Sequence, residues 1–138
     1  MNRRKSRETT MKLVYEMLIK KESFEEIFED FKEHTEEDIL ELDMAYITNT
    51  LKGITENIEF LDTTISKYLI NWKLDRLSKI DLSILRLAVY EITFEEDIPS
   101  IVCVNEAIEL AKEYSQDVTG AFINGVLGRL VEENKVVI

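Results

Sequence analysis

The sequence predicts an all-α fold of about six or seven helices, on three observations. One proline and four glycines in 138 residues disfavour a turn-rich sheet. Apolar residues recur at helical spacing along nearly the whole chain and nowhere alternate as in a half-buried strand. Ser/Thr-x-x-acid capping signals stand ahead of several of these stripes.

Met11, Val14, Tyr15 and Leu18 form the first stripe. Ser23 to Glu26 is a capping box opening the second, of Phe24, Ile27, Phe28 and Phe31. Thr35 to Asp38 repeats the signal ahead of Leu40, Met44, Ile47 and Leu51, and Gly53 reads as the stop of that helix. Ile54, Ile58, Leu61, Ile65 and Tyr68 make a fourth stripe, and Asn71 to Leu77 reads as a short helical turn or connector. Ser78 to Asp81 caps a fifth helix whose apolar residues wrap much of its circumference, which places it in the middle of a bundle. Pro99 separates it from a sixth helix bearing Val104, Ala107, Ile108, Ala111 and Tyr114. Asn105 reads as a cap or brace of that helix. The last helix runs from about Thr119 to Glu133, and Asn124-Gly125 within it reads as a point of close helix packing.

The length suits one compact domain or two tightly fused halves. No run approaches the ~18 apolar residues of a membrane span, and no secretory signal opens the chain, so a cytoplasmic location without membrane contact is expected. A lone cysteine, Cys103, fits a reducing compartment. His34 reads as a surface histidine and Cys103 as structural. No zinc spacing or phosphate-cradling glycine loop occurs, and the pairs Glu36-Glu37 and Glu95-Glu96 diverge on a helix. No catalytic residue, metal or cofactor is expected, and the chain reads as a non-enzyme.

Charge carries the main functional clue. Up to Lys21 the chain holds seven basic and two acidic residues, a net of +5, against −16 for the remainder. Arg3, Arg4, Lys5 and Arg7 sit at a helix start, where the dipole opposes positive charge. Arg3, Arg4 and Arg7 fall within roughly 70° of the centre of the first apolar stripe, at ~100° per residue. The three are therefore expected to point into one notch, beside the start of the last helix. Being outside the Met11–Leu18 stripe, they are expected to be dispensable for folding. Phosphate reverses the dipole penalty, so the pattern favours phosphodiester binding, single-stranded RNA before duplex. The acidic body suits a basic protein partner.

The segments RRKSRETTMKLVYEM, LSKIDLSILRLAVYEI, DIPSIVCVNEAIELAKEY and FINGVLGRL resemble, in order and spacing, those of the NusB family of transcription antitermination factors. The resemblance spans nearly the whole chain. It implies a single domain over 1–138 with seven helices in two fused bundles, the N-terminal one about 1–70 and the C-terminal one about 76–138. It also implies a heterodimer with the small-subunit ribosomal protein that acts as NusE. That pair would bind boxA-type single-stranded RNA within the transcription elongation complex and support ribosomal RNA transcription. The same domain precedes the catalytic part of some ribosomal RNA cytosine methyltransferases; with Ile138 as the last residue, the standalone factor is expected.

By the resemblance, RNA contacts fall to Arg3, Arg4, Lys5, Arg7, Thr119 and Phe122, and partner contacts to Arg76, Asp81 and Arg86. Each has a simpler reading: Asp81 as the acid of a capping signal, Arg86 as half of an ion pair, Phe122 as core. Two departures stand out. Asp117-Val-Thr-Gly-Ala121 lacks the basic residue that commonly precedes this motif, which implies weaker RNA binding by the lone subunit. Gly128 occupies a position where polar residues are frequent. A homodimer is left open. The alternative function is a helical protein-interaction adaptor that does not bind RNA directly.

Overall fold

The computed structural model describes residues 2–36, 39–116 and 118–136. Within them the chain forms seven α-helices and no strand: α1 (Arg3–Lys20), α2 (Phe24–His34), α3 (Met44–Glu56), α4 (Ile58–Tyr68), α5 (Lys79–Phe94), α6 (Ser100–Tyr114) and α7 (Thr119–Val136). Short 3₁₀ turns at Ile39–Glu41 and Leu74–Arg76 lead into α3 and α5. Asp38 of the Thr35 capping signal, Glu37 of the Glu36-Glu37 pair and Asp117 lie outside the described residues.

Local signals set most boundaries. Ser23 accepts from the Glu26 amide at 3.2 Å and Ser78 from the Asp81 amide at 3.1 Å, so both capping signals open helices where the sequence places them. α1 packs on α5, α3 and α2, while α4, α6 and α7 gather around the rest of α5. Central α5 buries Ile84, Leu85, Leu87, Ala88 and Val89, as its nearly all-round apolar sequence requires. α1 is buried on more of its surface than its apolar stripe predicts, including Ser6, Thr9 and Thr10. The Ser6 and Thr10 hydroxyls donate to the carbonyls of Asn2 and Ser6, both at 2.8 Å, which satisfies them inside a close helix contact.

The third helix departs from expectation. It begins at Met44 with Asp43 as its cap, Oδ1 accepting from the Tyr46 amide at 3.0 Å. Thr35 instead ends α2, and Leu40 is exposed. The acid nearest the first buried residues wins the cap. Gly53 is no stop either, since α3 continues to Glu56. A Cβ at Gly53 would overlap the hydroxyl end of the Tyr90 side chain of α5, so close helix packing favours glycine there. Gly125, expected to be the packing glycine, faces no other helix: a Cβ would meet only its own helix's Arg129 side chain at 3.4 Å. Asn105 is exposed and makes no side-chain hydrogen bond among the described residues, so it braces nothing.

Candidate nucleic-acid and partner interface

The start of α1 is fastened to the segment entering α3. Asn2 caps α1 by accepting from the Lys5 amide at 3.0 Å, and its own amide donates to the Glu41 carbonyl at 2.7 Å. The Asp43 amide donates to Ser6 Oγ at 2.8 Å. Each cation of this turn then meets a carboxylate. Arg3 donates to Asp43 Oδ2 at 3.2 Å and lies 4.5 Å from the centre of the Tyr46 ring. Arg4 donates to Glu106 Oε1 on α6 at 3.1 Å, and Lys5 lies 3.7 Å from Glu41.

Arg7 is different in kind. Its Nε and Nη2 fork onto Glu91 of α5 at 2.8 and 3.1 Å, with Arg7 only 5% and Glu91 1% exposed. Burial by itself would lower the guanidinium pKa, but the hydrogen bonds and charge of Glu91 more than reverse this and hold Arg7 above its ordinary value. The expected single notch is therefore corrected. Arg3, Arg4 and Arg7 fan out to α3, α6 and α5, and none of their hydrogen bonds or ion pairs reaches α7 among the described residues. Arg7 is turned inward onto Glu91, and a buried ion pair is the opposite of what dispensability for folding would require. Glu91 escaped the sequence reading, although an acid among Ala88, Val89 and Ile92 on a buried helix was its signal.

The second group of candidates converges at the other end of α5. The chain leaves α4 through a left-handed turn at Asn71 (φ 64°) and passes Trp72 before Ser78 caps α5. Asp81 Oδ1 accepts from Ser115 Oγ at 2.7 Å, and Ser115 Oγ lies 3.1 Å from Thr119 Oγ1. This hydroxyl chain joins the start of α5, the end of α6 and the start of α7. Beside it opens a groove of about 450 Å³ lined by Trp72, Arg76, Asp81, Val118, Thr119 and Phe122. Trp72 meets Phe122 edge to face, ring centres 6.3 Å apart, and remains 56% exposed; Val118 is 74% exposed. Arg76 and the flanking Lys73 and Lys79 are exposed and form no ion pair among the described residues.

Thus Thr119 and Phe122, expected on an RNA surface, share one groove with Arg76 and Asp81, expected on a partner surface. Trp72 and Val118 were missed, though a tryptophan in a polar connector was the available signal. Arg86 lies elsewhere. Five residues beyond Asp81 it is turned about 140° around the helix, and it forks onto Asp62 of α4 with both bonds at 2.8 Å. Its simpler reading, an ion pair, is what the geometry shows. A side chain at Gly128 would meet open space, and nothing in the structure explains a glycine there.

His34 is exposed at the end of α2, and the Cys103 thiol is buried, which pushes its pKa up to about 12. Among the described residues no group of three or more His, Cys, Asp or Glu side chains is placed to hold a metal, and no helix is long and apolar enough to cross a membrane. What the geometry offers in one groove is an exposed indole, a half-buried phenyl ring, hydroxyls and the unpaired Arg76, whereas the cations at the start of α1 are already matched.

The NusB family model matches residues 4–132. The transcription antitermination protein NusB of Clostridium novyi is 56% identical over 132 residues, covering 96% of this chain and 99% of its own length. The crystal structure of T. maritima NusB superposes with a TM-score of 0.86 at 38% identity, over 96% of this chain and 92% of that one. A crystal structure of antitermination factors NusB and NusE in complex with dsRNA superposes with a TM-score of 0.78 at 26% identity, over 95% and 96%.

Proposed function

The chain belongs to the NusB family, and from that premise we propose that it is a cytoplasmic transcription antitermination factor. In this reading it binds boxA-type single-stranded RNA together with the small-subunit ribosomal protein acting as NusE. The complex joins the elongating polymerase and supports ribosomal RNA transcription. The observation that carries the proposal is the α5–α7 groove, where two aromatic rings stand with the unpaired Arg76, flanked by the exposed Lys73 and Lys79, on a chain of net charge −11. Stacking rings and cations hold unpaired bases and their phosphates. Phe122 and Trp72 would stack on bases, Thr119 would contact the backbone, and Arg76 would reach a phosphate or the partner. Asp81 would face the basic partner. Arg3, Arg4 and Lys5 would extend the phosphate track along α1, with Arg7 setting the position of that helix. Arg86 would act through its hold on α4.

The internal pairing of α1 favours a second reading, an adaptor that does not touch RNA. One experiment separates the two. Affinity for a U-rich single-stranded RNA and for a duplex of the same length is measured with and without the ribosomal protein, for the natural chain and for Trp72→Ala and Phe122→Ala. The expected result is tighter binding of the single strand by the heterodimer, weakened about tenfold by each substitution, since a stacked base contributes ~1–3 kcal/mol. RNA binding by the heterodimer no tighter than by the ribosomal protein alone, with partner binding intact, would establish the adaptor.

A further inference from the structure

At the opposite end of α5 from the groove, about 24 Å away for a helix of its 16 residues, lies an aromatic cluster that the proposed function does not use. Phe60 of α4 and Phe94, the last residue of α5, meet edge to face at 5.7 Å, and Tyr90 tilts against Phe94 at 5.3 Å. Phe60 and Phe94 are 48% and 43% exposed, large for rings that core burial would otherwise claim. Tyr90 is fixed underneath by the glycine at position 53.

The surroundings of these rings carry more carboxylates than cations. Burial above all, and then the charges of Glu95 and Glu56, raise the Tyr90 pKa, and both carboxylates lie at the ends of the helices that carry Tyr90 and Gly53. α3 ends at Glu56 and α5 at Phe94, so two helix C-termini lie at this end of the molecule. Asn57 donates to the Gly53 and Ile54 carbonyls, and α4 begins at Ile58 with Phe60 in its first turn, so the partial charges of α3 and α4 offset each other here. Neither α3 nor α5 carries a basic residue in its last turn. The cation nearest in sequence, Lys52, stands 3.9 Å from Glu56 in an exposed pair one turn earlier.

We propose that the Phe60–Tyr90–Phe94 cluster is a second docking surface, which seats an arginine or lysine side chain of a basic protein partner. Aromatic faces attract cations and carboxylates pair with them, so two independent terms select one sign of charge. The same terms disfavour phosphate, which selects a basic protein segment over nucleic acid or anionic lipid. The surface is independent of the α5–α7 groove, so one basic chain could be held at both ends of α5 or two chains at once.

The probe is tetra-arginine amide, titrated into the isotope-labelled full chain and followed by amide chemical shifts. Expected are the largest shifts at Gly53, Tyr90 and Phe94. Affinity should fall about fivefold or more in Phe60→Ala/Phe94→Ala, and likewise in Glu56→Gln/Glu95→Gln, which leaves the rings in place and decides the matter if the first variant is poorly folded. Glu109→Gln/Glu113→Gln, on the exposed face of α6, should leave that affinity unchanged. Unaltered affinity in both cluster variants, or a larger loss in the α6 variant, would overturn the proposal. So would a second copy of the chain as occupant, seen as a dimer in sedimentation that Phe60→Ala/Phe94→Ala disperses without any change in tetra-arginine binding.

Discussion

The first turns of α1 and the groove between α5 and α7 both carry cations, but they use them differently. Along α1 every cation up to Lys12 has a carboxylate partner, on α3, α5, α6, the turn before α3 or α1 itself. Around the groove Lys73, Arg76 and Lys79 have none among the described residues. The α1 cations offset the cost of the helix dipole by joining the helix to its neighbours. Those of the groove are left for something outside the molecule. A net charge counts residues and is blind to this distinction, so the most basic stretch of sequence need not be the most available basic surface.

The sharpest test of the comparison is Arg7→Ala. It should destabilise the protein by about 3–5 kcal/mol in urea or thermal unfolding, because Glu91 would be left buried without its partner. Arg7→Met combined with Glu91→Leu should recover most of the loss, since replacing a buried pair by apolar groups of similar size is often neutral. A stable Arg7→Ala would mean that the α1 cations are as dispensable for the fold as those of the groove.

These particulars show what could be read from the sequence. Capping serines and apolar periodicity are local properties, so Ser23, Ser78 and the buried α5 were legible. The two glycines were read the wrong way round. Gly53 looked like a terminator because it follows the apolar stripe, and only the approach of Tyr90, 37 residues away in sequence, shows otherwise. Glu91 and Glu106 are partners of Arg7 and Arg4 across 84 and 102 residues. Nothing in a helical wheel of α1 contains them. Thr119 and Phe122 came from family resemblance, and their meeting with Trp72 depends on a turn after α4 that periodicity cannot place.

A smaller effect is expected at Asp81, the acid that lies within the groove and also helps to build it. Asp81→Ala should cost about 1–2 kcal/mol through loss of the Ser115 hydrogen bond and of a favourable charge in the first turn of α5. Ser115→Ala should share part of that cost, and a double-mutant cycle on unfolding free energies reads the coupling. Asp81→Asn keeps an acceptor for Ser115 but loses the charge. It should therefore be nearly as stable as the natural chain while binding a basic partner more weakly. Unchanged partner affinity in Asp81→Asn would reduce Asp81 to its capping role.

The smallest effect is the most discriminating, because it asks whether a paired cation can serve RNA at all. A free cation that binds a single-stranded phosphate contributes about 0.7 to the log–log dependence of affinity on salt. Arg76 has no carboxylate to leave, so Arg76→Ala should reduce the slope of the RNA-binding heterodimer by that full amount, if Arg76 reaches a phosphate. Arg4 must first release Glu106, and Arg3 must release Asp43. Each freed carboxylate then gathers a cation from solution, which cancels part of the counterion release at the phosphate. Arg3→Ala/Arg4→Ala should therefore lower the slope by clearly less than the ~1.4 of two free cations. Affinity across a salt series for both variants, measured beside the natural chain, gives the ratio directly. A full reduction in the double variant would show that the α1 pairs open at no ionic cost, and the two regions would then be equivalent towards RNA. A slope unchanged in the double variant, with the Arg76→Ala reduction intact, would confine RNA to the groove.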